Sequence, residues 1–398
     1  MHADEQRRPL NSDRNVTGYA DDGFGVIADE FSKGFSKRGE TGAALAVVLD
    51  GRLVVDLWGG TSDARSGARW HSDTLNVIFS CTKGLLAICA LNLVAEGRLD
   101  LDAPVSTYWP EFAGAGKAQV VVRWLLQHRA GLIALDTDLT VDDLLHWEPV
   151  IRAIEAQAPL WKPGTSHQYH TLTYGWLVGE LIRRVTGMTA GGYLRSITTD
   201  AIAPDTWIGL PVTEEPRVAR LAWDDAPRPV PGPEAHSQQQ RLVERAATLG
   251  GALPVDLVWE DSGFNDPRMH GAEIPGAGGI STARDLARIW SSTTTSTNGV
   301  RLLSREITDA ASVPVSFGRP VFGSQPPYGA WGTGFAVPTA AKPLLSGASY
   351  GHDGVGGQRG FADPDALVGF GYLTNHLVRR DDTRADALVA VLRNLLDT

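Results

Sequence analysis

The stretch Ile78-Phe79-Ser80-Cys81-Thr82-Lys83-Gly84-Leu85-Leu86-Ala87-Ile88-Cys89-Ala90-Leu91-Asn92-Leu93-Val94-Ala95 joins two kinds of patterning. Ile78 and Phe79 form a short apolar, strand-like run. Leu85, Leu86, Ile88, Leu91, Leu93 and Val94 then recur at helical spacing until Gly97 offers a C-cap. Ser80 and Lys83 are therefore expected one turn apart on the same face at the start of a helix. In that position an amine can take the proton of a hydroxyl, and the positive end of the helix dipole favours the alkoxide left behind. With only six Lys in the chain, composition alone produces at least one S-x-x-K in about one such sequence in three. The strand-to-helix setting is what separates this pair from an N-terminal Ser followed by a solvated Lys.

The 398 residues are 43% apolar and 21% charged, the composition of a soluble globular protein with room for a large core in one or two domains. A formal net charge of −10 with no basic run argues against nucleic acid and anionic membrane surfaces as partners, and suits a small neutral or amphipathic ligand. Met1-His2-Ala3-Asp4-Glu5-Gln6-Arg7-Arg8-Pro9 has no apolar signal core. No run approaches the ~20 apolar residues of a membrane span, so a cytoplasmic location is expected. Cys81 and Cys89 are the two cysteines, about 12 Å apart along one helix and too distant to bridge. Neither a disulfide framework nor a cysteine metal site is implied.

Working outward, residues 1–22 are polar and read as a flexible N-terminal tail, and Phe24 to Phe35 carries helical spacing. Ala43 to Leu49 and Leu53 to Trp58 are strand-like runs joined through Asp50-Gly51, a hairpin signal of the I′ type. Val121 to His128, Val141 to His146, Pro149 to Ala158 and Leu172 to Val185 read as helices. Asp224 to Pro233 is too rich in Pro for a helix or central strand and reads as a surface loop. Ile280 to Trp290 looks like a capped amphipathic helix ending in the polar tract Ser291 to Thr297. Tyr328 to Val337, Gln358 to Ala362 and Leu367 to Thr374 return to short strands, and Thr383 to Leu396 closes the chain as a helix with Thr383 and Asp386 as a candidate cap. The expected class is α/β (α+β): an antiparallel sheet from both termini flanked by helices, with an inserted, mostly helical subdomain. The boundaries are 23–110 and 265–398 for the α/β domain and 111–264 for the helical subdomain.

Three stretches in order carry a resemblance. Ser80-x-x-Lys83, then Tyr169-His170-Thr171 after Trp161-Lys162-Pro163-Gly164-Thr165, then His352-Asp353-Gly354 before a Gly-rich strand, resemble the serine β-lactamase and penicillin-binding-protein superfamily. The chain is most similar there to the family VIII carboxylesterases, esterases that look like class C β-lactamases. Leu99 to Val105, Leu125 to Leu132 and Pro275 to Thr282 add supporting text, and the likeness covers roughly residues 25 to 395. The resemblance implies a β-lactamase/transpeptidase-like fold, Ser80 as acylated nucleophile, Lys83 as its proton acceptor and Tyr169 as a second proton shuttle. It also implies an oxyanion site from the backbone N–H groups of Ser80 and Val355, a kind of donor worth about 10²–10³ in rate. The chemistry agrees, since a Ser hydroxyl needs a partly neutral amine beside it to react near pH 7.

Two departures bear on substrate. Thr171 stands where lactamases and peptidases of the superfamily commonly carry Asn, and His352 stands where Lys often meets a substrate carboxylate. Both weaken the case for an anionic β-lactam and favour a neutral, short-chain or aryl ester. His352, Gly354, Thr171 and Trp331 are the expected substrate contacts, with a packing or hydrogen-bonding role for His352 as the equal alternative; Gly354, Gly356 and Gly357 read either as leaving room for substrate near the strand or as a bulge or turn. Trp58, Trp147, Trp161, Trp176, Trp290 and Trp331 offer material for an apolar or aromatic pocket, with most of them expected in the core. A β-lactamase, a D-amino-acid peptidase or small-amide hydrolase, an acyltransferase and a non-catalytic penicillin-recognising protein are the alternatives. Gly347-Ala348-Ser349-Tyr350-Gly351 matches a G-x-S-x-G elbow but lacks the strand-to-helix context and the later acid and His. His167 and His170 have no accompanying metal motif and read as surface or cleft-wall residues, so neither cofactor nor metal is expected.

Overall fold

A computed structural model of the protein describes residues 7–9, 15–224, 237–322, 325–379 and 381–397. Among them, ten strands build the main antiparallel sheet. The N-terminal part supplies β1 (Arg7–Pro9), β2 (Val16–Asp21), β3 (Gly42–Leu49) and β4 (Arg52–Asp63), with Ala68–Arg69 paired to β4. The C-terminal part supplies β5 (Ala330–Trp331), β6 (Ala336–Val337), β7 (Tyr350–Asp353), β8 (Arg359–Asp363) and β9 (Val368–Thr374). The order is β1-β2-β4-β3-β9-β8-β7-β6-β5, so the two ends of the chain meet where β3 pairs with β9, Leu45 opposite Tyr372. Asp50 and Gly51 lie at φ 47° and 74°, the two left-handed positions that the I′ turn between β3 and β4 requires.

Strand β3 is apolar throughout because both of its faces are covered. Ala43, Leu45 and Val47 point to one side, into a cluster with Ile27 and Phe31 of α1 (Gly25–Lys37) and with Leu388, Val389 and Leu392 of the C-terminal helix. Ala44, Ala46 and Val48 point to the other, into the larger core around α2 (Cys81–Ala95). Helix α2 is buried nearly all round and packs against α3 (Thr173–Thr186). Helix α4 (Ala283–Ser291) lies on β9 at backbone contact: a Cβ at Gly369 or Gly371 would stand 2.2 or 2.4 Å from the Ala287 or Ala283 carbonyl oxygen. Those strand glycines are there for the close approach of the helix.

The helices expected between 121 and 185 form as Val122–Leu126, Val141–Leu145, Glu148–Ala156 and α3. Of the loop expected at Asp224 to Pro233, residues 225–233 lie outside the described residues. Two expectations need correction. Val16–Asp21 do not belong to a loose tail; they pair with β4, Gly18 opposite Leu57, and bury Val16 and Ala20 against α1. The last helix, α5 (Arg384–Leu396), begins after Thr383, but the Thr383 side chain caps nothing. Asp382 accepts from the Arg384 backbone N–H at 3.0 Å instead, and Asp386 pairs with Arg359 at 2.6 Å. No helix among the described residues is long and apolar enough to cross a membrane.

Arg384 ties the two termini together from a position 3% exposed. Its guanidinium reaches the buried Glu40 carboxylate at 3.0 Å, the His376 carbonyl at 2.9 Å and the Gly356 carbonyl at 3.0 Å. Thr374 and Tyr372 donate to the same Glu40 carboxylate. Arg384→Met leaves that carboxylate buried without its cation, and is expected to cost about 3–5 kcal/mol in urea unfolding. Replacing both partners, Glu40→Leu with Arg384→Met, should recover part of the loss. A single variant within 1 kcal/mol of native contradicts this account.

Candidate active site

Ser80 stands at the junction the sequence marked. Asn76–Val77 pairs with Gly279–Ser281 in a small sheet, Phe79 takes a left-handed φ of 45°, and α2 starts at the next turn with Ser80 at its N-cap position. The Ser80 side chain makes no capping bond. Its Oγ instead accepts from Lys83 Nζ at 3.0 Å. Lys83 is fully buried and also donates to the Gly276 carbonyl at 2.6 Å, on the loop before Gly279–Ser281. Its Nζ lies 5.0 Å from the centre of the Tyr169 ring. Burial lowers the Lys83 pKa to about 7, because desolvation penalises the ammonium form.

Tyr169 reaches the same point from the segment before α3. Its hydroxyl is hydrogen-bonded to the Ser80 side chain and lies 3.5 Å from His352 Nε2. Burial raises the phenol above its ordinary range, with the Ser80 hydrogen bond pulling the other way. Trp331 stacks on Tyr169 at 5.7 Å between ring centres, and His128 packs on it at 4.8 Å. A cavity of about 410 Å³ opens over these groups. Ser80, Tyr169, Trp331, His352, Gly354 and Val355 line it, with Ala336, Val337, Leu344 and Phe361 making much of the remainder apolar.

Ser80 and Val355 both line this cavity, and neither backbone N–H has a backbone acceptor among the described residues. Gly354 explains how Val355 comes so near: a Cβ there would stand 2.5 Å from the Ile78 carbonyl oxygen. Of the two expectations for Gly356 and Gly357, room for substrate or a turn, the structure bears out the turn. Their φ values of 82° and 130° make the turn from β7 to β8, and a Cβ on either would strike Leu377 or Asp382 and Arg384.

The structure thus gathers Ser80, Lys83, Tyr169, His352, Gly354, Val355 and Trp331 in one place. Thr171 is half-buried and is not among the cavity-lining residues, since the chain turns there into α3. Trp176 and Trp290 are core residues, as expected. His167 and His170 are not surface residues: both are buried, and His170 Nε2 accepts from the Leu132 amide at 3.1 Å while Nδ1 donates to the Gln168 carbonyl at 2.7 Å. Among the described residues no group of three or more His, Cys, Asp or Glu could hold a metal ion. Ser349 of the G-x-S-x-G match is 1% exposed and donates to Asp363 at 2.6 Å.

Sequence reasoning missed three contributors. The Gly276 carbonyl that orients Lys83 has no side-chain signal. His128 lies within the Leu125 to Leu132 stretch, which carried the resemblance without a role for that ring. Lys342 also borders the cavity, exposed, 3.7 Å from Asp353.

Comparison with known proteins follows the same lines. Esterase/beta-lactamase LipL of Mycobacterium tuberculosis is 32% identical over 390 residues, 92% of this chain and 84% of its own. A crystal structure of a family VIII carboxylesterase superposes with a TM-score of 0.84 at 31% identity, covering 96% of this chain and 99% of the other. EstA of Arthrobacter nitroguajacolicus Rue61a does so with a TM-score of 0.82 at 31% identity, covering 95% and 98%. The Beta-lactamase family matches residues 14–394, nearly the whole length, and the chain therefore belongs to the beta-lactamase family.

Proposed function

We propose that this protein is a serine carboxylesterase that cleaves neutral carboxylic esters through an acyl-Ser80 intermediate. One observation carries the reading: a fully buried Lys amine, lowered to about pKa 7, stands 3.0 Å from a Ser hydroxyl under an apolar cavity. Lys83 accepts the Ser80 proton as Oγ bonds to the ester carbonyl carbon. The negative charge that develops on the carbonyl oxygen is met by the N–H groups of Ser80 and Val355. On collapse the C–O bond to the alcohol breaks, and the proton passes from Lys83 through the Tyr169 hydroxyl to the leaving oxygen. Water then attacks the acyl-enzyme by the same route in reverse.

The choice of ester over β-lactam rests on charge. Burial, then the nearby Lys83, lowers the His352 pKa to about 4, so the imidazole offers no positive charge to a substrate carboxylate at neutral pH. Exposed Lys342 is a cation at the rim, and this single feature favours β-lactam cleavage as the second reading. Initial rates on p-nitrophenyl butyrate and on a chromogenic cephalosporin, measured side by side, separate the two. The ester is expected to turn over with a kcat/KM at least about 10²-fold higher. A cephalosporin preference would replace this reading with a β-lactamase one.

A further inference from the structure

We propose that Thr82 is a positioning residue for Lys83: its hydroxyl fastens to the nucleophile turn the segment whose Gly276 carbonyl orients the amine. The proposal rests on the serine-esterase reading and deepens it. Thr82 is fully buried and does not line the cavity. Its Oγ1 donates to the Phe79 carbonyl at 2.5 Å and accepts from the Gly279 amide at 2.9 Å. That single hydroxyl joins the residue before the nucleophile, at its left-handed φ of 45°, to the strand Gly279–Ser281. The Gly279 carbonyl is held in turn by the Ile78 amide at 2.8 Å. Glycine permits the approach, since a Cβ at 279 would stand 2.6 Å from Thr82 Oγ1.

Gly276 lies three residues before this anchor, in a tight turn where the Ala277 and Gly278 amides both donate to the Ile274 carbonyl, at 3.0 and 2.6 Å. Its own carbonyl accepts from Lys83 Nζ at 2.6 Å. A neutral amine has two hydrogens and one lone pair. With one hydrogen committed to Gly276, the amine is restrained and its lone pair can be aimed at Ser80 Oγ, 3.0 Å away. A carbonyl exchanges no proton with the amine, so it orients the base without competing with it. The titratable groups facing Lys83 are Cys81 on its own helix, Tyr169 and His170 before α3, His128 after Val122–Leu126, and His352 on β7. Burial leaves all five uncharged near pH 7. It lowers the His352 and His170 pKa to about 4 and that of His128 well below its ordinary value, and it raises the Cys81 thiol and the Tyr169 phenol. A titration near pH 7 therefore belongs to the amine. The Gly276 carbonyl supports its ammonium form, because a charged donor makes the stronger hydrogen bond.

Two substitutions separate the hydroxyl from the shape of the side chain. Thr82→Val keeps the volume and removes both hydrogen bonds, whereas Thr82→Ser keeps the hydroxyl. Each is assayed on p-nitrophenyl butyrate across about pH 5 to 9. Thr82→Val is expected to lose about 10²-fold in kcat with KM within about threefold of native, because a misplaced base slows the chemical step and leaves binding alone. Its kcat/KM half-maximum is expected about half a pH unit below that of native, because a loosened Gly276 carbonyl supports the ammonium less. Thr82→Ser is expected within about threefold of native, with its half-maximum unmoved. A Thr82→Val with native kcat, or a loss whose half-maximum stays at the native pH, would overturn the proposal. A Thr82→Ser no better than Thr82→Val, when both melt within a few degrees of native, would overturn it too. If Thr82→Val melts too early to assay, Thr82→Cys, whose thiol is a weaker donor and acceptor, decides by the same half-maximum: a shift to lower pH supports the proposal, and an unmoved one overturns it. Ser80→Ala and the native pH profile test the underlying reading separately. Surviving activity in that variant, or a native profile with no inflection near pH 7, would sink the Ser80–Lys83 mechanism itself, whereas an inflection present in native and unmoved in Thr82→Val sinks the role of Thr82 alone.

Discussion

Ser80→Ala is expected to lower kcat/KM for p-nitrophenyl butyrate by about 10⁴-fold or more. The magnitude follows from what the substitution removes and what it leaves. It removes the hydroxyl that Lys83 holds at 3.0 Å, and with it the proposed covalent path. It leaves the cavity and the backbone N–H groups of Ser80 and Val355, which together can still supply a residual acceleration of about 10³-fold over water. Some slow turnover is therefore consistent with the assignment. A fluorophosphonate probe should label the native protein on the peptide containing Ser80 and leave the variant unlabelled. Loss of less than about tenfold would move the nucleophile elsewhere. Ser349 is a poor second candidate, buried and committed to the Asp363 carboxylate at 2.6 Å.

That Ser80 and Lys83 face each other was legible because both positions lie within one helical turn, where spacing fixes neighbourhood. Asp50-Gly51 was legible for a similar reason: its conformation is local, and few residue pairs tolerate two left-handed positions. Tyr169 is different. Eighty-six positions separate it from Lys83, no periodicity links them, and only the resemblance of three ordered motifs brought it to the site. The strand Val16–Asp21 escaped because its apolar content is Val16 and Ala20 on a single face, too little to stand out until β4 and α1 receive them. The glycines at 356 and 357 were ambiguous because a turn and a substrate path ask for the same residue. Their positive φ values and their packing against Leu377 and Arg384 are tertiary facts. His352 was legible as a member of a motif, but its tautomer depends on a carbonyl 2.7 Å from Nδ1, which no sequence pattern encodes.

Lys83→Met is expected to lower kcat/KM by about 10³-fold while making the fold more stable, and the two effects have one cause. Burial holds the amine at about pKa 7, far below its ordinary 10.5, with no carboxylate among the described residues beside it to repay the desolvation. In the proposed mechanism acylation needs the neutral amine, so kcat/KM should rise with pH to a half-maximum near 7 and level off above it. Stability follows the same titration. Between pH 7 and 10.5 the unfolded chain holds a proton on Lys83 that the folded protein has lost, so the Lys83 contribution to stability rises with pH across that window. Below pH 7 the folded site carries the buried charge and the penalty is complete. Methionine fills the space without that charge, leaving the Gly276 carbonyl short of one donor at a cost of about 1 kcal/mol. The melting temperature of Lys83→Met should therefore exceed that of native by more at pH 6 than at pH 9, and the pH 7 inflection in kcat/KM should vanish from its residual activity. A variant less stable than native at pH 6, or one that keeps the inflection, would mean that Lys83 is charged and paired in the folded protein, and would transfer the role of base to another group.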